Sequence, residues 1–237
     1  MYINDKSEKL HYAFQKKLFT RIKNLGYTLK DLENLHFYIV NHAPIIIHMH
    51  ADKHFGFYLN DTHYRNQFET SQSSGCKDLK VRGGWEDSMF DSLYQKAEPY
   101  ERVKYGTMNL TNDPHGVSVC TGYGKSYFLL KEHIRNRCTI TDEDQTIICT
   151  FRFCYQLLLS FTDDEIDAAF EAAKAQEVKS EGIVAAYKEI QIHGPVEFKK
   201  DIERVYIHRK DIERNRKCLD EVKEFCKKNN LQYEVFG

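Results

Sequence analysis

The sequence predicts an α+β fold in which a helical N-terminal piece precedes a mostly antiparallel β-sheet. Apolar residues first recur at helical spacing, from Leu10 to Leu25 and again from Leu29 to Ile39. Strand-like runs follow, and they do not alternate regularly with helices. The sequence also has no GxGxxG or GxxxxGK[ST] motif, which argues against a doubly wound parallel sheet that binds a nucleotide.

The two N-terminal helices are separated by a short turn with recognisable end signals. Gly26 suits the C-terminal end of the first helix, and Thr28 suits the N-cap of the second. We therefore expect a helical hairpin over residues 1–42 and a second unit over residues 43–237. Packing against that second unit is the favoured role of the hairpin, and binding of an acceptor is the alternative.

The later elements follow from alternation, capping and turn signals. Thr162 and Glu165 have the spacing of a capping box, so a helix should begin there and run through Ala175. The stretch 146–161 fits a strand and a helix equally well. The remaining expectations are strands at 44–50, 65–70, 103–110, 117–121, 125–131, 205–208 and 231–235, a helix around 85–93 and a late helix over 212–226.

Length and composition limit the classes of function. A chain of 237 residues with 41% hydrophobic residues can bury a sizeable core. Its net charge of −1 predicts no strong field for nucleic acid or a membrane surface, and it has no run of 18 apolar residues. The seven cysteines form no CxxC pair, which indicates thiols in a reducing, cytosolic environment. The N-terminus lacks the apolar core of a classical secretory signal, and export by another route stays open.

The stretch 185–193, closed by Gly194 and Pro195, is the strongest candidate for the floor of a site. In a strand, side chains alternate between two faces. One face would carry Tyr187, Glu189, Gln191 and His193, and the other Ala186, Lys188, Ile190 and Ile192. A lone glutamate on a strand is usually solvated, but the pattern ExQxH directly before Gly-Pro favours a functional carboxylate at Glu189.

The segment HMHADKH is the second candidate. His48 and His50 would share one face of a strand, which is a geometry that a metal site needs. With Asp52 and His54 the segment resembles the HxHxDH motif of metallo-β-lactamase-type hydrolases, but it has one residue too many before His54 and no later ligand cluster. The alternatives are histidines that hydrogen-bond within the sheet, or a histidine that contacts an anionic or ribose-bearing ligand. The last of these alternatives is favoured over a metal site, so we assign no residue as a metal ligand.

Two further groups of residues could bind a ligand. Read as a strand, the segment 65–70 places Arg65, Gln67 and Glu69 on one face, ahead of a serine-rich loop. Surface solvation is the alternative there. Tyr105-Gly106 and Ser126-Tyr127 combine aromatic and small residues, which either fill a core or form a slot for a planar ring.

Five segments together resemble a bacterial domain family. That family runs as YRxQFETGxSxG, WE, RxKYGALNL, FGSxYF and ExQxHGP, in this order. The matching segments here are Tyr64–Thr70, Trp85-Glu86, Lys104–Leu110, Gly124–Phe128 and Glu189–Pro195, so the resemblance covers roughly residues 42–208. The chain departs from the family pattern in having Ser71 in place of glycine and Thr107-Met108 in place of Ala-Leu.

The resemblance implies the ADP-ribosyltransferase-like fold, with a mostly antiparallel split β-sheet core, and a catalytic unit over 43–237. The family is also similar to CteC-type bacterial effectors, which modify ubiquitin on threonine. It implies a mono-ADP-ribosyltransferase that uses NAD as co-substrate and acts as an effector or toxin. The acceptor would be a protein, with a threonine of ubiquitin as one candidate, and the enzyme would work in the cytosol or after delivery into a host cell.

Site residues follow from the same resemblance. Glu189 matches the catalytic glutamate, although Gln191 stands where the arginine-modifying enzymes of this fold have a second acid. The resemblance implies that His48 or His50 contacts NAD and that Ser126 or Tyr127 lines the nicotinamide pocket, with Tyr105 nearby. We also predict Arg65, Gln67, Gly106 and Gln191 as NAD-binding residues. Two other classes stay open: a metal-dependent hydrolase that uses His48, His50 and His54, and a non-catalytic binding module.

Overall fold

A computed structural model describes residues 2–72, 78–142, 148–151, 155–175 and 187–237, with side chains from residue 12 onward. Its strands are β1 Ile45–Met49, β2 His63–Tyr64, β3 Lys104–Met108, β4 Ser126–Leu130, β5 Cys138–Asp142, β6 Cys149–Thr150, β7 Lys188–Ile192, β8 Val196–Glu197, β9 Ile202–His208 and β10 Gln232–Phe236. Its α-helices are α1 Tyr2–Asn24, α2 Leu29–Asn41, α3 Ala51–Tyr58, α4 Gln67–Thr70, α5 Leu79–Met89, α6 Tyr155–Leu158, α7 Asp163–Ala175, α8 Phe198–Asp201, α9 Arg209–Arg214 and α10 Cys218–Asn229.

Eight of these strands form one sheet in the order β10-β9-β4-β1-β3-β7-β5-β6. β9 and β10 pair in parallel, and the other neighbouring pairs are antiparallel. The short strands β2 and β8 pair separately. The predicted α+β class with a mostly antiparallel sheet is therefore confirmed.

The two faces of the large sheet differ in what covers them. Ile47, Phe128 and Ile190 project from one face into the main apolar core, which they share with side chains from the helices. A smaller apolar cluster, which includes Ile46 and Tyr127, lies on the other face. This second face is therefore only partly filled by apolar side chains, and the candidate site lies there.

The N-terminal helices α1 and α2 agree with the predicted hairpin. The Thr28 hydroxyl accepts a hydrogen bond from the Asp31 backbone N–H at 3.1 Å, and the Asp31 carboxylate accepts one from the Thr28 N–H at 2.9 Å. This reciprocal capping box confirms the start of α2. Ile22 and Leu32 are buried in the same core as the sheet, so packing is a role of the hairpin, while the boundary at residue 42 stays a prediction.

The strand predicted over 65–70 is wrong. α4 occupies Gln67–Thr70, because the Asn66 side chain accepts hydrogen bonds from the Phe68 and Glu69 backbone N–H groups at 2.9 and 3.1 Å. Ser71 ends this helix with a left-handed φ of 57°. Glycine tolerates that conformation better than serine does, so Ser71 occupies a position where a glycine would be less strained.

The strand predicted over 117–121 is also wrong, since a 3-10 helix runs over Ser118–Tyr123. Two other 3-10 helices span Pro99–Glu101 and Glu132–Arg137. The undecided stretch 146–161 contains both β6 and α6, and residues 146–147 and 152–154 of it lie outside the described part. No helix in the described ranges is long and apolar enough to cross a membrane.

The start of α7 follows the predicted capping box. The Thr162 backbone N–H donates to the Glu165 carboxylate at 2.8 Å, and the Glu165 N–H donates to the Thr162 hydroxyl at 3.2 Å. The described part of α7 runs to Ala175, where the described range ends, so the predicted end of the helix stays a prediction. The predicted late helix is present as two pieces, α9 and α10, followed by the predicted final strand β10.

Candidate functional site

A cleft of about 630 Å³ opens on the second face of the sheet. Pockets that bind small molecules and cofactors typically enclose about 300–1,000 Å³. Side chains from β1, β3, β7, α3, α4 and α5 line it, and the ones that matter below are His48, His54, Arg65, Gln67, Arg82, Glu86, Tyr105 and Glu189. The cleft is therefore large enough for a ligand and is lined by several charged or polar groups.

Strand β7 presents the face that its sequence predicts. Glu189 lies opposite Thr107 of β3 and Thr141 of β5, and Gln191 occupies the next position on the same face. Lys188 projects to the other face, where its Nζ is fully buried and donates to the Asp142 carboxylate at 2.5 Å. Within the described residues the predicted alternation along β7 is confirmed.

The Glu189 carboxylate is held by its neighbour two residues along the strand. The Gln191 Nε2 donates to Glu189 Oε1 at 2.9 Å and to the Thr141 hydroxyl at 2.9 Å. Gln191 itself is fully buried and does not line the cleft. Gln191 therefore contacts Glu189 and not the space inside the cleft, which differs from the predicted role of Gln191 as an NAD-binding residue.

His48 lies in the lining of the cleft but uses both ring nitrogens for structure. The Val117 backbone N–H donates to His48 Nε2 at 3.1 Å, so the proton sits on Nδ1, which donates to the Gly124 carbonyl at 2.8 Å. Burial lowers the pKa of His48 to about 4. The imidazole is thus neutral at pH 7, and neither nitrogen is available to a metal ion or to the pyrophosphate of NAD.

Three other predicted residues do not join the cleft. His50 is the N-cap residue of α3, outside the residues that line the cleft. Ser126 projects to the opposite face of the sheet from Glu189, where its hydroxyl donates to the Asp211 carboxylate at 2.6 Å. Tyr127 is on the Glu189 face, but its ring stacks on Tyr206 at 4.6 Å. The predicted slot at Ser126 and Tyr127 therefore does not form part of this cleft.

Arg65 and Gln67 both line the cleft, in different states. The Arg65 side chain is partly exposed, and its Nε contacts both carboxylate oxygens of Asp61 at 2.9 Å. Gln67 is only 9% exposed, and neither its amide nitrogen nor its amide oxygen has a hydrogen-bond partner among the described residues. Because a buried amide without partners is costly, Gln67 is the side chain that most directly indicates a polar ligand.

Arg82 and Glu86 of α5 line the cleft too, and no site role was predicted for either. The Arg82 guanidinium carbon lies 4.6 Å from the centroid of the Tyr105 ring. Glu86 is 1% exposed, and its two oxygens accept hydrogen bonds from the Tyr105 hydroxyl at 3.1 Å and from Arg102 Nε at 2.9 Å. The sequence signals for this pair are the Trp85-Glu86 match and the i, i+4 spacing from Arg82 on a helix.

Several ionisation states in the cleft are shifted. Burial raises the pKa of Glu86, while the Arg102 guanidinium opposes that rise. Burial also raises the pKa of the Tyr105 phenol, and the nearby Glu86 carboxylate raises it further. For Arg82, burial disfavours the charged form, but Tyr105, Glu189 and Glu86 together hold its pKa above the ordinary value. The cleft thus combines a neutral phenol with a cation that lies within electrostatic range of Glu189.

Gly106 lies in the lining of the cleft, but the sheet explains why a glycine is there. A Cβ atom at this position would lie 2.7 Å from the Ile46 carbonyl oxygen and 3.3 Å from Ile47 Cγ1. The residue therefore permits the close approach of β1 and β3 beside Tyr105.

The metal-site alternative finds no support in this geometry. In the part of the chain that the structure describes, no three histidine, cysteine, aspartate or glutamate side chains are arranged to hold a metal ion. His48 has no free nitrogen, and His54 lies on α3, one helical turn beyond the cap residue His50. A hydrolase that uses all three histidines as ligands would need a different arrangement.

A comparison with protein-family models identifies one similarity. Residues 45–157 match a model described as "Protein of unknown function (DUF3626)". This range covers just under half of the chain and includes the cleft residues Gln67, Arg82, Glu86 and Tyr105, but it ends before β7 and Glu189. A search of curated proteins found no match.

Proposed function

We propose that the protein is a mono-ADP-ribosyltransferase that moves ADP-ribose from NAD to a protein side chain and releases nicotinamide. The observation that carries the proposal is the Glu189 carboxylate, which lies on the wall of a cleft of about 630 Å³. The same cleft contains the Tyr105 ring and the Gln67 amide, which has no hydrogen-bond partner among the residues that the structure describes. The ordered motifs of the ADP-ribosyltransferase-like family support it, because Glu189 matches the catalytic position of that family. The split-sheet core of that fold is part of the same proposal.

The chemistry requires stabilisation of a developing cation. The bond between the anomeric carbon of the ribose and the nicotinamide nitrogen breaks, and its electron pair leaves with neutral nicotinamide. A carboxylate that accepts a hydrogen bond from the ribose 2′-hydroxyl stabilises the positive charge that develops at the anomeric carbon. Glu189 has that role in our proposal, and the Gln191 amide at 2.9 Å holds its carboxylate in place.

The other cleft residues position the dinucleotide. We assign Tyr105 to the planar nicotinamide ring, because an aromatic ring offers a flat face for stacking. Gln67 supplies an amide to which no described side chain or backbone group is bonded. Arg65 and Arg82 are the two arginines of the cleft lining, and a guanidinium suits the pyrophosphate. Holding both reactants in line is the main requirement of such a transfer.

The acceptor hydroxyl forms the new bond to the anomeric carbon and gives up its proton to a base. Glu69 is poorly suited to this role, because its oxygens are used by His63 Nε2 at 2.7 Å and by the Asn66 N–H at 3.0 Å. His54 also lines the cleft, and burial lowers its pKa, so it is neutral and able to accept a proton at pH 7. We therefore propose His54 as the base.

The acceptor is proposed to be a protein, with a threonine of ubiquitin as the candidate that the family resemblance implies. Phe57 and Tyr123 line the cleft and are well exposed, so they are available for contact with a protein bound at its mouth. Five cysteines in the described ranges are free, which fits work in a reducing compartment such as the cytosol of the producing cell or of a host cell.

The test is incubation with labelled NAD and a cell lysate, followed by mass spectrometry of modified proteins. Glu189→Gln should lower transfer by at least about 100-fold while NAD still binds, because it removes the charge and keeps the shape. Glu234→Gln is the matched control, since Glu234 is an exposed glutamate on the edge strand β10, outside the cleft lining. Wild-type turnover by Glu189→Gln would remove Glu189 from the mechanism.

Two other outcomes would favour the other classes of function. A wild-type protein that neither binds nor splits NAD, with and without candidate proteins, would favour a binding module. Stoichiometric zinc or iron in the purified protein would favour the metal-dependent hydrolase.

A further inference from the structure

A continuous chain of hydrogen bonds runs from Glu189 to the loop after α5. The Glu189 carboxylate accepts from Gln191, and the Thr139 hydroxyl donates to the amide oxygen of Gln191 at 2.9 Å. The Thr139 oxygen also lies 3.1 Å from His193 Nε2, and the Tyr94 hydroxyl lies 2.5 Å from His193 Nδ1. Five side chains are therefore linked in series: Glu189 and Gln191 of β7, Thr139 of β5, His193 just after β7, and Tyr94.

With His193 neutral, only one assignment of protons satisfies every contact in this hydrogen-bond chain. Gln191 Nε2 donates to both Glu189 and Thr141, so its amide oxygen must accept from Thr139. A hydroxyl has a single proton, which means that Thr139 must accept from His193 Nε2. His193 is then the neutral tautomer with the proton on Nε2, and its bare Nδ1 accepts from Tyr94.

The surroundings of His193 fit that neutral tautomer. The titratable and charged groups that face it are Tyr94 and Arg137, and Arg137 also donates to the His193 backbone carbonyl at 2.5 Å. The Phe90 ring contacts the imidazole edge to face at 5.2 Å. Burial and the Arg137 charge both lower the pKa of His193, which keeps the ring neutral at pH 7.

We propose that His193, through Thr139 and Gln191, is a positioning residue that fixes the orientation of the Glu189 carboxylate. An amide side chain can turn over at little cost when nothing distinguishes its two ends. If Gln191 turned over, its oxygen would face the Glu189 carboxylate and repel it. The Thr139 hydroxyl donates its one proton to the amide oxygen of Gln191, which opposes this reversal. The Gln191 amide nitrogen therefore stays directed at the Glu189 carboxylate as a hydrogen-bond donor.

The catalytic role of this hydrogen-bond chain rests on the proposed function, whereas the geometry of the hydrogen bonds does not. The variant that tests it is Thr139→Val, which removes the hydroxyl and keeps a β-branched side chain that suits a strand. Thr139→Ser is the conservative variant that restores the hydroxyl. Thr150→Val is the matched control, since the exposed Thr150 lies directly opposite Thr139 on β6.

In the NAD-splitting assay we expect Thr139→Val to lower kcat by roughly tenfold and to leave KM for NAD within about twofold, because it weakens a hydrogen bond to a charged group that acts in the transition state. Thr139→Ser should recover most of the lost activity, and Thr150→Val should behave as the wild type. A wild-type kcat in Thr139→Val, or a Thr139→Ser variant as impaired as Thr139→Val, would overturn the proposal.

A second measurement does not depend on NAD. Nitrogen-15 NMR of the histidine rings should show His193 protonated on Nε2 alone at pH 7, and the side-chain amide signals of Gln191 should shift in Thr139→Val but not in Thr139→Ser. A proton on Nδ1, or unchanged Gln191 signals in Thr139→Val, would overturn the hydrogen-bond chain. If these signals behave as expected and the wild type does not split NAD, the proposed function fails while the positioning of Glu189 by His193 stands.

Discussion

Gln67→Leu should make the protein more stable and, if the proposed function is correct, weaken the binding of NAD. Gln67 is 9% exposed, and neither amide atom has a hydrogen-bond partner in the described part of the chain. Folding therefore removes this amide from water, and no hydrogen bond from a described residue replaces those that it made to water. A leucine of similar size would bury well at the first position of α4 without that penalty.

The size of the effect follows from the cost of a buried, unsatisfied amide. That cost is about 1–3 kcal/mol, so the substitution should raise the free energy of unfolding by about 1 kcal/mol or more. For a chain of this length each 1 kcal/mol corresponds to a rise in Tm of roughly 2–4 °C. If the amide finds its partners on NAD, the variant should lose roughly tenfold in affinity, which corresponds to about 1.4 kcal/mol.

The control is the same substitution at Gln191, which is buried but bonded to Thr139, Thr141 and Glu189. Gln191→Leu should lower the free energy of unfolding by at least about 2 kcal/mol, because it takes a buried partner from three polar groups. Differential scanning calorimetry and isothermal titration with NAD measure both quantities. The reasoning fails if Gln67→Leu loses stability as Gln191→Leu does, or if it binds NAD as tightly as the wild type.

Three further predictions concern the framework of the site. Burial holds the pKa of His48 near 4 in the folded protein, so on acidification the unfolded chain binds a proton at His48 before the folded protein does. The free energy of unfolding should therefore fall by about 3 kcal/mol as the pH drops from about 6.5 to 4. Urea unfolding of His48→Gln should lack this fall, and an equal fall in the variant would contradict the prediction. Gly124→Ala should lower the free energy of unfolding, measured by thermal unfolding, by more than about 2 kcal/mol, because the new Cβ would lie 2.0 Å from the Met49 carbonyl and φ is +124°. A Cβ at the control position Gly122 meets no atom within 4 Å, so Gly122→Ala should change stability by less than about 1 kcal/mol. Lys188→Met should lower the free energy of unfolding by about 3–5 kcal/mol in urea, because it leaves buried carboxylates without their cation, and a loss below about 1 kcal/mol would refute this account.

Much of the fold could be predicted from local sequence patterns. The helical spacing and the Thr28 cap locate α2, and the alternation after Pro44 locates β1, because these signals act within one element. The stretch 65–70 shows where alternation misleads. There the Asn66 side chain offers an oxygen to two backbone N–H groups, and this local hydrogen bonding favours a helical turn over extension.

The sequence predicts which site residues share a face only where they lie on the same strand. Glu189 and Gln191 lie on one face because β-strand periodicity requires it. Adjacent residues such as Ser126 and Tyr127 must project to opposite faces, and the sequence alone does not tell which face carries the cleft. Arg82 belongs to a helix that is brought over the sheet by tertiary packing. Its contact with Tyr105, 23 positions away, has no counterpart in a local pattern.

The buried face of β7 explains why the Glu189 carboxylate on the other face is directed into the cleft. Lys188 Nζ contacts Asp142 at 2.5 Å and Glu165 at 3.2 Å, and Ile190 is completely buried on the same face. A shift of one residue in the pairing of β7 would place Lys188 in the cleft and Glu189 in the apolar core. The ion cluster and the isoleucine both oppose that shift, because each would lose its buried partners. The orientation of the proposed catalytic group is therefore determined by residues that never contact the ligand, and substitutions on the core side of β7 should affect activity as strongly as substitutions in the cleft.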